Sequence, residues 1–246
     1  MIRVLAEVGK SIKTVTVYNE DVLRRYASFA PHHSNFWEGK MYQFVTDKSQ
    51  LQELRKACET IIKNVQKSWL KDYFTFQFVL IGSGSNNLIT QNGESGEYDL
   101  DYNFILQKDK KGLANNPKKI KELFIQAFNE ANPGLGFEPA ENSTSVITSK
   151  LVFEHRLYFS FDVAILCEGN NGNYLKIRRN KQNNQYYWNE EKKSCNYQAK
   201  IKAIKDAGEW KQLRDKYLRL KNMYLSRQED IASFSVLIQA INEIIG

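Results

Sequence analysis

The chain has 246 residues, 42% of them hydrophobic, and carries 14 phenylalanines and 13 tyrosines, which is enough material for a real core in one large domain or two small ones. Its formal charge of +7 and pI near 9.1 lean toward anionic partners such as nucleotides or nucleic acid, although the lysines and arginines are spread along the chain as on an ordinary basic surface. With 3 scattered cysteines, no CxxC pair and only 3 histidines, the composition argues against a zinc site and a disulfide framework.

Taken in chain order, residues 1–18 alternate weakly and predict a strand pair. Residues 19–29 predict a short helix capped by Asn19. Residues 30–46 form an irregular aromatic segment with Phe36, Trp37, Tyr42 and Phe44. Over 47–69, Leu51, Leu54, Cys58, Ile61, Ile62, Val65 and Trp69 recur at steps of three and four, which predicts an amphipathic helix. Residues 74–81 are a continuous apolar run, predicting a strand buried on both faces. Residues 82–96 are polar and glycine-rich, a loop or the start of a short helix. A strand over 98–106 follows, then a helix over 117–131 opened by Pro117, a loop over 132–144, and strands over 146–153 and 157–166.

After Cys167 the character changes. A Gly/Asn-rich turn, the basic residues Lys176, Arg178, Arg179 and Lys181, and the triplet Tyr186, Tyr187, Trp188 lead into about three helical segments. The domain boundary is therefore expected within 168–193, with an α+β core over 1–167 and a mainly helical region over 168–246. The first residues lack the apolar run of a signal peptide, and no stretch approaches the ~20 apolar residues that span a bilayer, so the expected setting is cytoplasmic, without a membrane partner.

The chemistry is concentrated in residues 78–86 (FVLIGSGSN) and 98–106 (YDLDYNFIL). Side chains alternate along a strand, so Asp99, Asp101 and Asn103 share one face. The two carboxylates are about 7 Å apart at the backbone and repel unless a cation lies between them. Magnesium suits such a site, because it takes oxygen ligands and leaves positions for phosphate oxygens. Two such ions can hold both the attacking and the leaving oxygen in phosphoryl transfer, an arrangement that calls for a third carboxylate from a neighbouring strand. Residues 157–166 (LYFSFDVAIL) supply one: Asp162 points away from the apolar face, on the side of Tyr158 and Ser160. A glycine-serine turn after a buried strand lets backbone N–H groups approach phosphate closely.

A strand ending in Gly-Ser, a spacer, and then Asp-x-Asp with apolar residues after each acid resembles the signature of the DNA polymerase beta-like nucleotidyltransferases. Counted from Gly84-Ser85 the spacer is 13 residues, and from Gly82-Ser83 it is 15, so the spacing favours the second pair. The Gly-Ser-Gly-Ser run with the long spacer is similar to the cyclic GMP–AMP synthase-like branch. The resemblance implies a nucleotidyltransferase mixed sheet flanked by helices, with a helical C-terminal region closing the cleft. It implies Asp99, Asp101 and Asp162 as metal-binding and catalytic residues, two Mg2+ ions (or Mn2+), and Asp162 as the group that helps deprotonate the acceptor. It implies nucleotide binding through Gly82, Ser83, Gly84 and Ser85. Residues 213–225 are similar to the helix in that branch whose lysine contacts the triphosphate, which offers Lys216 or Lys221. Tyr187 in its aromatic triplet is a candidate for stacking on a base; the alternative is a hairpin strand packed on the sheet. Asn86 and Asn87 depart from the aromatic or basic residues usual after Gly-Ser.

Rival motifs fail. Phe104 and Lys110 stand where an EF-hand needs glycine and glutamate. No Gly-Lys-Ser/Thr follows the glycines, and a third dinucleotide-binding glycine is missing. The expected function is transfer of an NMP from an NTP such as ATP to a hydroxyl, with a nucleotide or nucleic acid favoured as acceptor. A catalytically weak nucleotide-binding module and an antibiotic-modifying enzyme are the alternatives. Oligomeric state is not legible.

Overall fold

The computed structural model describes residues 2–8, 11–17, 41–93, 96–153, 155–191, 196–229 and 231–245, the first two stretches by backbone alone. The helix expected over 19–29 lies outside them. Strands β1 (Ile2–Val8) and β2 (Ser11–Val17) pair antiparallel, as the weak alternation predicts.

The helix expected over 47–69 is α1 (Lys48–Lys67), and Asp47 starts it by accepting a 2.9 Å bond from the Gln50 amide. An N-cap acceptor satisfies one of the free donors of the first turn. Leu54, Cys58, Ile61, Ile62 and Val65 form its buried stripe. Strand β4 (Phe74–Ile81), the single-turn helix α2 (Gly82–Ser85) and the short β5 (Thr90–Asn92) lead to β6 (Tyr98–Asp109). The α3 helix (Pro117–Ala131) has the bounds read from the sequence, with Asn116 as its cap. Then come β7 (Glu141–Asn142), β8 (Ile147–Phe153), β9 (Arg156–Glu168) and the hairpin of β10 (Tyr174–Asn180) and β11 (Gln185–Glu191).

The main sheet runs β11-β10-β9-β6-β4, and β8 also pairs with β9 and carries β7. It is mixed: β6 and β9 are parallel, and the other pairs are antiparallel. One face of it packs against α1 and α3. Phe76, Phe104, Phe124, Phe128 and Phe161 make a continuous aromatic layer there, the closest pair being Phe76 and Phe104 at 4.6 Å between centroids. The other face is open, and β4 shows the difference from the both-faces-buried expectation. Phe74 and Phe76 are buried on the helix side, while Gln77 and Val79 are exposed on the open side. An apolar run does not say whether a layer covers its second face.

Helices α4 (Tyr197–Asp206), α5 (Trp210–Ser226) and α6 (Ser233–Ile245) form a second cluster around Leu213, Tyr217, Leu237 and Ile241. Leu88, just behind α2, is fully buried in it. The strand β3 (Tyr42–Phe44) pairs with β5 and is held to α5 by the Asn222 amide, which accepts from the Tyr42 N–H at 2.6 Å and donates to its carbonyl at 2.9 Å. The C-terminal helices are thus anchored to the segment that joins β4 to β6. No helix among the described residues is long and apolar enough to cross a membrane.

Candidate active site

Asp99 and Asp101 lie on the open face of β6, because Tyr98, Leu100, Tyr102 and Phe104 are all buried on the other. Parallel pairing sets Asp101 directly beside Asp162 of β9. The three carboxylates each offer an oxygen, and these oxygens lie within 4.8 Å of one another. Tyr158 departs from the expected face. A register irregularity beside it turns its hydroxyl toward α1, where it accepts a hydrogen bond from Gln50, so Ser160 alone flanks Asp162 from that side.

Electrostatics show a site with too much negative charge. Asp101 is pushed up to about 7, first by burial and then by Asp99 and Asp162. Asp162 is also raised, by burial, although the hydrogen bond from Thr148 opposes the rise. Asp99 keeps an exposed side chain yet is crowded enough that desolvation raises it too, against the pull of Lys221. Lys176 and Lys150 lie near enough to ease the charge on Asp162, and Lys176 that on Asp101, but the carboxyls stay raised. The donor set is all oxygen and its charge is not fully offset by the nearby lysines, which fits a hard divalent cation such as Mg2+ or Mn2+.

The glycine-serine turn is resolved residue by residue. Gly82 has φ +63°, and a Cβ there would lie 2.9 Å from Asp101 Oδ2. Gly84 instead abuts Leu100 and Leu80 on the apolar side and lines a cavity of about 480 Å3 behind β6. Ser85 donates to the Gly82 carbonyl at 2.9 Å. The spacing favours Gly84-Ser85, but the geometry sets Gly82 against Asp101, because α2 carries Gly84 around to Leu80 and Leu100. Gly82→Ala is therefore expected to cost about 1–3 kcal/mol in urea denaturation, from the left-handed backbone and the carboxylate it displaces. Gly84→Ala meets only the tips of two leucines and should leave the site geometry intact.

The two candidate lysines of α5 separate. They are five residues apart, about 140° around the helix. Lys221 Nζ donates to Thr90 Oγ1 at 2.8 Å and to Ser233 Oγ at 3.2 Å, and lies 4.0 Å from the centre of the Tyr42 ring. Burial lowers it to about 8, while Asp99 acts in the opposite sense. It borders a cavity of about 430 Å3 with Tyr42, Tyr224 and Ser233. Lys216 is tied to Glu243 of α6 at 2.5 Å. Tyr187 lies on the exposed side of β11 opposite Arg178, two strands from Asp162, while Tyr186 and Trp188 pack against the core. The triplet is a hairpin strand, as the alternative reading had it, with Tyr187 its one exposed ring.

Sequence reasoning missed Thr148, whose hydroxyl donates to Asp162 Oδ1 at 2.6 Å, and left Lys176 without a role. Only the register of β8 against β9 brings Thr148 to that place, and nothing in its own sequence neighbourhood marks it.

No protein-family model matches the chain, and no curated protein matches it. Among solved structures, DncV of Vibrio cholerae, a cyclic AMP-GMP synthase in complex with nonhydrolyzable GTP, is similar with a TM-score of 0.54 and 14% identity, over 82% of this chain and 68% of that one. CdnE from Capnocytophaga granulosa, a STING-associated c-di-GMP synthase, is similar with a TM-score of 0.52 and 17% identity, over 79% of this chain and 59% of that one. For the CD-NTase CdnG of Bradyrhizobium diazoefficiens in complex with GTP, the TM-score is 0.42 and the identity 14%, over 58% of this chain and 39% of that one. The chain thus spans 39 to 68% of the length of these structures. With its mixed sheet, flanking helices and helical C-terminal region, the chain shares the nucleotidyltransferase fold of the DncV and CdnE structures.

Proposed function

We propose that the chain is a divalent-metal-dependent nucleotidyltransferase that moves an NMP from an NTP to a hydroxyl, with a second nucleotide as the favoured acceptor. The observation that carries this reading is the meeting of three carboxylate oxygens within 4.8 Å on adjacent strands, with the glycine-serine turn set close against Asp101 at Gly82. GTP in one similar structure and the synthase names of two support a nucleoside triphosphate as donor and a nucleotide as acceptor.

Asp99, Asp101 and Asp162 would hold the cation. When bound, it offsets the charge of the triphosphate and of the phosphorus centre as the bond changes proceed. Gly82 and Ser83 offer backbone and hydroxyl donors to the phosphates, since no Cβ at Gly82 blocks the approach. Lys221 supplies a cation to the outer phosphates from the helical side. The acceptor oxygen attacks the α-phosphorus, the bond to the bridging oxygen breaks, and pyrophosphate leaves with the electron pair. Asp162, on the outer side of the acid pair, takes the acceptor's proton. In this reading residues 1–167 carry the catalytic core and residues 168–246 close the cleft, with the β10–β11 hairpin extending the sheet of the first part.

Incubation with the four labelled triphosphates, with and without RNA, in Mg2+ or Mn2+, tests this. Pyrophosphate release with a new phosphodiester product is expected. Binding of a triphosphate without release in any mixture would make the chain a nucleotide-binding module.

A further inference from the structure

Among the described residues, Asp162 alone of the three acids takes a side-chain hydrogen bond, from Thr148 Oγ1 to Oδ1 at 2.6 Å. Thr148 is 8% exposed and stands directly across from Asp162 in the β8–β9 ladder. Behind it, Ser143 Oγ is 3.2 Å from Thr148 Oγ1. A hydroxyl carries one proton. Thr148 gives its proton to Asp162, so Ser143 must be the donor in the second contact. The direction of the chain is fixed: Ser143 to Thr148 to Asp162.

The far end is anchored by a buried cation. Lys121 of α3 is 1% exposed, and its Nζ donates to the Ser143 carbonyl at 2.5 Å. Burying an ammonium is costly unless it is well used. Arg179 also reaches this turn, 3.4 Å from the Asn142 carbonyl. Two cations therefore clamp the segment that aims Ser143 at Thr148.

We propose that Thr148 is the positioning residue for Asp162: its hydroxyl, bonded to Oδ1, fixes the rotamer of the carboxylate beside Asp99 and Asp101, and Ser143, on a turn held by Lys121, keeps that hydroxyl in its donating direction. The proposal rests on the reading of Asp162 as a metal-binding carboxylate. A charge-assisted bond of this length is short and directional, and a partner behind a metal-binding carboxylate fixes its rotamer. Asp99 and Asp101 have no such side-chain donor among the described residues, and they share one strand, which already sets their spacing. Asp162 comes from another strand and needs its own alignment.

The test is Thr148→Val, which keeps the shape and removes the hydroxyl, with Thr148→Ser as the conservative control. Mn2+ affinity, read by electron paramagnetic resonance on the free protein, should fall about 10- to 100-fold in Thr148→Val. The kcat of nucleotidyl transfer should fall by a similar factor while the KM for the triphosphate stays within about threefold. Thr148→Ser should bring both back to within about threefold of wild type, which a purely structural role would not require. Asp162→Asn separates the outcomes. If it loses Mn2+ affinity and turnover while Thr148→Val keeps both, the positioning role is overturned and the proposed function stands. If Asp162→Asn itself keeps both, the site reading fails and the positioning role goes with it.

Discussion

Asp101→Asn is expected to lower pyrophosphate release by about 10³-fold or more while making the metal-free protein more stable at pH 8. Both effects come from one property of the site. Asp101 sits between Asp99, two residues away on its own strand, and Asp162, beside it on the next. Burial and those two charges push it up to about 7 from an ordinary 3.8. In the unfolded chain it titrates at its ordinary value. Between about pH 4 and 7 the folded state therefore holds more protons than the unfolded one, and stability falls as pH rises. The loss is complete above the folded value, so at pH 8 the metal-free protein carries the whole cost. Asparagine removes that charge, which should recover about 1–3 kcal/mol, some degrees in melting temperature for a chain of this size. Mg2+ should raise the melting temperature of the wild type at pH 8 and do less at pH 4.5, where Asp101 is largely protonated. Thermal melts of both proteins across pH 4–8, with and without Mg2+, measure all of this. A variant that loses activity without gaining metal-free stability would mean that the three acids do not repel as described.

Lys221→Met should raise the KM for the triphosphate about 10- to 30-fold, whereas Lys216→Met should leave it within about twofold. The family resemblance alone allows either lysine, and the structure separates them by their partners. Lys216 Nζ is occupied by Glu243, whose carboxyl is held below its ordinary value chiefly by that hydrogen bond. Among the described residues, Lys221 hydrogen-bonds only to neutral hydroxyls, those of Thr90 and Ser233, and lies beside the ring of Tyr42 on the side of Asp99. Hydroxyl acceptors are readily exchanged for phosphate oxygens, which gain more from a cation. Burial lowers Lys221 to about 8, so in the free protein its charge is lost as pH rises through that value. The kcat/KM for the triphosphate should therefore decline above about pH 8, and the decline should be absent in Lys221→Met. Equal KM changes in the two variants would contradict this assignment.

Much of the fold was legible because its elements carry strong local signals. The α1 stripe has its cap at Asp47, and Pro117 opens α3 after a capping asparagine. The alternation of β6 and β9 also placed the acids on one face of each strand. Their meeting depends on pairing: the parallel register of Asp101 with Asp162 is a long-range property that neither strand contains. The same gap applies to the glycine-serine turn. Spacer length favours Gly84-Ser85, but φ +63° at Gly82 and the turn that follows decide which pair meets Asp101. Tyr158 fails for a similar reason, since one irregularity in a ladder moves a side chain to the opposite face. Ser143 and Thr148 meet across the β7–β8 turn, but Lys121 and Asp162 join them only through tertiary packing and strand register.

Diffraction from crystals grown with Mn2+ and a nonhydrolysable GTP analogue, collected at a wavelength where manganese scatters anomalously, puts the acid cluster to the most direct test. An anomalous peak in contact with Asp99, Asp101 and Asp162, next to the triphosphate, is the expected result. Nucleotide bound with manganese elsewhere, or with the three carboxylates turned away from any metal, would contradict the account.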